Sequence, residues 1–345
     1  MGVAALTALL TLVTPVTGAA AAPAGFFGIS PQAAVPPADL ARMEGVVGAL
    51  RIPIYWFQCQ PAAGEYDFAA LDAQIGAAAD HGIRTQPFVY GTPSWLGDDP
   101  ARPPLGPRAR AAWARFLRVL IRRYGSDGSF WRGRERREPV RLWQIWNEPN
   151  FVVFWHPKPN PAGYARLLHV SARAIGGADR RARIVLAGVA PVGAGMKTWV
   201  FLRRLLRRPG VSRDFDLAAL HPYSTNLDEL SYQVEKVRTA MALTGVKRRS
   251  LLITEVGVAS WGTYPSAFVE GPDGQAQFLR AAFRRLLAMR QRWRIAGVDW
   301  FTWRDQRPLD HTCSFCQGAG LVNLEGKPKP AWWAYRQMVR ATRVR

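Results

Sequence analysis

From residue 26 onward, short apolar runs alternate with longer stretches in which apolar residues recur every three or four positions. The short runs read as buried strands and the longer stretches as amphipathic helices. Strands are expected at residues 26–30, 46–54, 83–90, 142–146, 183–190, 215–220, 250–255 and 295–303. The second ends near Tyr55 and Trp56. Between them lie the helical patterns. Asp67 caps a helix with Phe68, Leu71, Ile75 and Ala79 on one face, and His81-Gly82 closes it. Residues 108–124 put Trp113, Phe116, Leu117, Leu120, Ile121 and Tyr124 together. Asn160-Pro161 opens another helix, an N-cap followed by proline at the first helical position. Further helices are expected at residues 227–243, 273–293 and 329–343.

Eight strand-then-helix units in one chain predict an α/β fold, a single-domain parallel (β/α)8 barrel over residues 25–345. The length, 345 residues, suits one such barrel. A doubly wound open sheet is the competing architecture. Its usual Gly-rich phosphate turn is missing after the first strand, which reads Gly28-Ile29-Ser30-Pro31.

Two strand ends carry acids. The fourth runs Leu142-Trp143-Gln144-Ile145-Trp146 into Asn147-Glu148-Pro149-Asn150, and Pro149 is expected to end the ladder and hold Glu148 extended. The seventh ends Thr254-Glu255-Val256-Gly257. In a barrel the fourth and seventh strands face each other across the mouth, so Glu148 and Glu255 converge. Two glutamates about 5 Å apart are what a retaining glycosidase requires. A shared cleft also pushes their pKa values apart, leaving one protonated and one ionised.

At this point the chain resembles glycoside hydrolase clan A, the retaining barrel glycosidases. Within it, Trp-Asn-Glu-Pro-Asn and the stretch Gly326-Lys327-Pro328-Lys329-Pro330-Ala331-Trp332 look most like family 39 and its short endo-acting relatives. The resemblance implies a general acid/base at Glu148 and a nucleophile at Glu255. It implies a sugar 2-hydroxyl contact at Asn147 and a cation at Arg51 that keeps Glu255 ionised. His221 would line the cleft, Tyr223 would donate to Glu255, and Trp303 would be the platform under the reacting sugar. No cofactor or metal is implied. Trp56, Trp95 and Trp261 are expected as a group of flanking sugar-binding faces. The stretch after residue 303 is too short for an accessory β-sandwich, so an open groove cutting an extracellular polysaccharide is expected rather than exo-acting xylosidase action.

The formal net charge is +21, with 46 Lys+Arg against 25 Asp+Glu. The cations recur on helix faces, as at Arg118, Arg122 and Arg123 and at Arg203, Arg204, Arg207 and Arg208. They read first as solvated faces, with attraction to a polyanion as the alternative. An anionic polysaccharide stays open as substrate, whereas no nucleic-acid motif is visible and no stable protein partner is implied. Residues 1–24 read as a targeting segment: residues 4–16 are apolar but too short to span a bilayer, and Ala20-Ala21-Ala22 suits cleavage. An uncleaved membrane anchor is the lesser reading. Export favours a structural disulfide between Cys313 and Cys316, and no second Cys or His pair supports zinc. Cys59 is left free or paired with one of these two. Two rival functions follow from the same residues. One is a carbohydrate-binding barrel without catalysis, the other a surface polymer-binding protein driven by charge.

Overall fold

A computed structural model describes residues 21–191, 193–307 and 313–342. The expected targeting segment lies outside these residues except for positions 21–24. Among the described residues, ten short strands form one parallel sheet. They are β1 (Phe27–Ile29), β2 (Ala49–Leu50), β3 (Pro53–Tyr55), β4 (Arg84–Thr85), β5 (Phe88–Tyr90), β6 (Leu142–Ile145), β7 (Arg183–Val189), β8 (Leu217–Leu220), β9 (Ser250–Val256) and β10 (Ile295–Trp300). They make eight staves. Stave two is β2 and β3, interrupted at Arg51 and Ile52, and stave three is β4 and β5.

The sheet order β3-β5-β6-β7-β8-β9-β10-β1-β2-β4 closes on itself, because β2 pairs with β4 and β3 with β5. The ladder also continues across both interruptions. Gln86 N donates to Leu50 O at 2.8 Å and Phe88 N to Ile52 O at 3.0 Å. The result is the expected (β/α)8 barrel, a single domain with no free sheet edge.

Helices surround it: α1 (Pro37–Met43), α2 (Trp56–Cys59), α3 (Ala69–Asp80), α4 (Pro107–Tyr124), α5 (Pro161–Ala178), α6 (Thr198–Leu206), α7 (Leu227–Leu243), α8 (Gly271–Ala288), α9 (Arg290–Trp293) and α10 (Pro330–Thr342). The apolar stripe of α4 is buried as its spacing predicts. Asn160 caps α5 by accepting from Gly163 N at 2.9 Å. The helix expected over 273–293 is two pieces, α8 and α9, joined at Met289. Among the described residues, no helix is long and apolar enough to cross a membrane.

The main core lies between staves and helices. A separate apolar plug of Leu142, Val185, Leu217, Ala219 and Leu252 fills the barrel interior at the strands' amino ends. Directly above this plug the lining turns polar, with Gln144, Thr254 and Arg51 all buried. The site is built on that polar layer, at the carboxyl ends of the staves.

Candidate active site

The strand leading to Glu148 ends earlier than its apolar pattern suggests. β6 stops at Ile145, and Trp146 and Glu148 both have left-handed backbone, with φ of 71° and 37°. Glu148 is therefore not extended, and the turn begins at Trp146 rather than at Pro149. Non-glycine residues hold such conformations only where their surroundings over-determine them. Trp146 is fully buried, its ring 4.7 Å from Tyr90 and 5.7 Å from Trp155, and its Nε1 donates to Phe154 O at 2.6 Å. Glu148 N donates to Gly188 O at 3.0 Å. The packed indole fixes the turn, and the turn aims Asn147 and Glu148 into the barrel mouth.

Glu255 leaves β9 on the opposite side. Arg51 Nη1 donates to its Oε1 at 2.6 Å and Tyr223 Oη to its Oε2 at 2.5 Å. Arg51 is itself held at every nitrogen. Nε donates to Gln144 Oε1 (3.2 Å), Nη1 also to Ser30 Oγ (3.0 Å), and Nη2 to Asn147 Oδ1 (2.8 Å). Its guanidinium lies 4.2 Å from the Phe88 ring centroid. One buried cation thus ties staves one, two, four and seven together. Both oxygens of Glu255 receive charge-stabilising donors.

Glu148 has a different neighbour. His221 Nδ1 lies 2.6 Å from Glu148 Oε1 and 3.6 Å from Glu255 Oε2. Burial holds the His221 pKa down at about 3, so the ring is neutral, and its Nδ1–H tautomer donates to Glu148. The other ring nitrogen faces Gly188, where a Cβ would approach it to 2.0 Å. Burial pushes Glu148 up to about 7, against the opposing pull of Arg51. Burial likewise raises Asp299, inside the barrel beside Gly28, to about 7.

An oxygen of Glu148, an oxygen of Glu255 and a nitrogen of His221 lie within 4.8 Å of one another. These three could offer ligands to a cation. Arg51 already places positive charge there, and together with Tyr223 occupies both Glu255 oxygens.

Six of the expected residues meet: Arg51, Asn147, Glu148, His221, Tyr223 and Glu255. The four tryptophans do not join them. Trp56 is wholly buried among Trp113, Phe116 and Trp95, and its Nε1 donates to Gln60 Oε1 at 2.7 Å. It has no face to offer a sugar. Trp303 is buried against Trp332, with Nε1 on Asp39 Oδ2 at 2.8 Å, and cannot be the platform. The ring beside Tyr223 at the end of stave eight is Phe301, at 5.8 Å. The chain leaves the ladder after Trp300, so strand alternation does not place Trp303. Trp95 and Trp261 stay half-buried. Trp95 donates to Gln60 O and Trp261 to Asp305 Oδ2. Cys313 and Cys316 are disulfide-bonded, while Cys59 is free and buried, its thiol pushed up to about 12 by desolvation.

Ser30, Gln144 and Phe301 were not anticipated. The first two follow Gly-Ile and Leu-Trp in strand runs, where a polar residue among apolar ones is a weak but readable sign of an inward-facing partner.

No family model and no curated protein matches the sequence. Solved structures do match the fold. A family 39 glycoside hydrolase from Bacteroides cellulosilyticus is 21% identical with a TM-score of 0.67, over 91% of this chain and 63% of that one. A family 39 β-xylosidase from Caulobacter crescentus is 23% identical with a TM-score of 0.67, over 93% of this chain and 72% of that one. An exo-β-1,4-mannosidase from an Opitutaceae bacterium is 18% identical with a TM-score of 0.66, over 91% and 59%. The chain has the barrel fold of these clan A glycosidases and spans less than two thirds of the first of them.

Proposed function

We propose that the chain is an exported, retaining β-glycosidase acting on O-glycosidic bonds of a poly- or oligosaccharide. One observation carries this reading. Two buried glutamates from staves four and seven bring oxygens within 4.8 Å, and their neighbours give them opposite characters. Retaining enzymes hold their carboxyls about 5–5.5 Å apart, whereas inverting enzymes leave room for a water at about 6.5–9.5 Å.

In the first step Glu255 attacks the anomeric carbon, and the glycosidic C–O bond breaks. Glu148 gives its proton to the leaving oxygen, which a carboxyl raised to about 7 still carries near neutrality. The product is a glycosyl ester on Glu255. In the second step Glu148, now a carboxylate, takes a proton from water as that water attacks the same carbon, and the ester bond to Glu255 breaks. Arg51 and Tyr223 hold the charge of free Glu255. Asn147, fixed through Oδ1 on Arg51, keeps its amide N–H groups for a sugar hydroxyl.

The sugar is not carried over from the fold, since the matching structures are described as acting on different sugars. An anionic glycan stays one candidate, the alternative reading of the net charge of +21. Export is supported by the character of residues 1–24 and by the Cys313–Cys316 disulfide.

The test is hydrolysis of a panel of neutral and acidic polysaccharides and aryl β-glycosides, wild type beside Glu148→Gln. Turnover that the substitution removes supports the reading. Tight glycan binding with no turnover by wild type would replace it with a binding barrel.

A further inference from the structure

We infer that the disulfide-closed turn at Cys313–Cys316 is a positioning device for the nucleophile, seating Phe315 against Tyr223, whose hydroxyl fixes Glu255. The inference rests on Glu255 being the nucleophile.

The chain of contacts is continuous. Phe315 meets Tyr223 edge-on, with ring centroids 5.3 Å apart, and stacks on Phe268 at 5.1 Å. Phe301 closes the same cluster at 6.4 Å from Phe315. The phenol of Tyr223 then reaches Glu255 Oε2 at 2.5 Å. Tyr223 sits in a loop after β8, where its N donates to His221 O (2.9 Å) and its carbonyl accepts from Gln233 Nε2 (2.8 Å). Its ring direction is set by the aromatic neighbours.

The turn carrying Phe315 is itself tied down. Cys316 N donates to Cys313 O at 3.2 Å inside the disulfide loop. Ser314 Oγ exchanges bonds with Tyr264, accepting from its N at 3.0 Å and donating to its O at 3.2 Å. The carbonyl of Gly318 accepts from Ser260 N at 2.9 Å and from Lys329 Nζ at 2.9 Å. A Cβ on Gly318 would come within 2.0 Å of Trp261 O, so the two backbones touch. Lys329 is buried and paired with Asp305 at 2.8 Å, and Asp305 also accepts from Trp261. A buried ion pair is costly to hold unless fully satisfied. Here it anchors one small turn, and that turn ends in a ring on Tyr223.

The charged and titratable groups facing Glu255 are Arg51, Tyr223, His221, Glu148, Asp299 and Tyr55. Of these, Tyr223 alone depends on Phe315. A donor to a carboxylate favours its ionised form, so loosening Tyr223 raises the pH at which Glu255 loses its proton.

The experiment is a double-mutant cycle with Phe315→Ala and Tyr223→Phe. Activity is read as kcat, KM and the acid limb of the pH profile, and the Glu255 carboxyl is titrated by carbon NMR without substrate. Each single change should lower kcat about tenfold with KM within about threefold, and the double should be no worse than Tyr223→Phe within about twofold. Both should move the acid limb and the carboxyl titration to higher pH. Phe315→Leu should recover most of the loss. Cys313→Ser with Cys316→Ser should give the same upward shift at smaller size. Losses that multiply to about a hundredfold, or a carboxyl titration unmoved by Phe315→Ala or by the cysteine changes, would overturn the inference. A wild type silent on every glycan would count against the glycosidase reading, while the NMR titration separately decides whether the turn fixes Glu255 through Tyr223.

Discussion

Glu148 and Glu255 are the same residue on staves that face each other, Glu148 three residues past the end of β6 and Glu255 the last residue but one of β9, yet they meet opposite company. Glu255 receives a guanidinium on one oxygen and a phenol on the other. Glu148 faces a neutral imidazole and is otherwise surrounded by buried protein. The first environment stabilises charge and the second resists it. The roles proposed for the two, acid and nucleophile, are therefore set by their neighbours rather than by any property of the glutamates.

The largest effect on this contrast is removal of Glu255, the proposed nucleophile. Glu255→Ala should lower turnover at least about ten-thousandfold, and azide should restore it with product of inverted anomeric configuration, read by NMR. Rescue with inversion at Glu148→Ala instead would exchange the two roles. Next comes the cation. Arg51→Met takes the guanidinium from Glu255, Asn147, Gln144 and Ser30, and should cost about 3–5 kcal/mol of stability in urea unfolding. A loss below about 1 kcal/mol would mean that the network rearranges easily.

The Glu148 side is sharpened by pH. Its folded pKa, about 7, lies above the ordinary 4.5, so its contribution to stability is complete below pH 4.5 and is lost as pH rises through 7. Glu148→Gln should accordingly be more stable than wild type at pH 8 by up to about 3 kcal/mol, and indistinguishable at pH 4.5, by calorimetry. Activity should fall as pH rises past about 7. Asp299→Asn should leave that basic limb in place, because Asp299 shares the raised pKa but not the position. The smallest effect belongs to Trp303→Phe. It loses the bond to Asp39 and should cost about 1 kcal/mol of stability, with KM unchanged. A raised KM would return Trp303 to the cleft.

What the sequence reveals here divides along physical lines. The eight staves are legible because apolar runs and helical stripes are local patterns. Glu148 and Glu255 are legible because each directly follows such a run, and Arg51 because it is a cation between apolar neighbours. Trp303 misled because the two-residue alternation that places a side chain ends with the ladder, at Trp300. Trp56 misled because it begins a short helix, α2, that turns the ring into the core. The split of staves two and three, and the reach of Arg51 to Ser30 and Gln144, depend on register between strands far apart in the chain. Phe315 lies in a turn whose seat is set by Gly318 and Lys329, and no local pattern announces it.

Gly188 has a meaning for how such a protein could change over time. Its backbone carbonyl accepts from Glu148, and the space where its side chain would stand is filled by His221. No left-handed backbone requires glycine at this position. One added methyl group would push the imidazole off Glu148 while leaving Arg51, Asn147 and the cleft walls as they are. A single small substitution there is thus a route to a descendant in which Glu148 has lost its imidazole partner while Glu255 keeps both its donors.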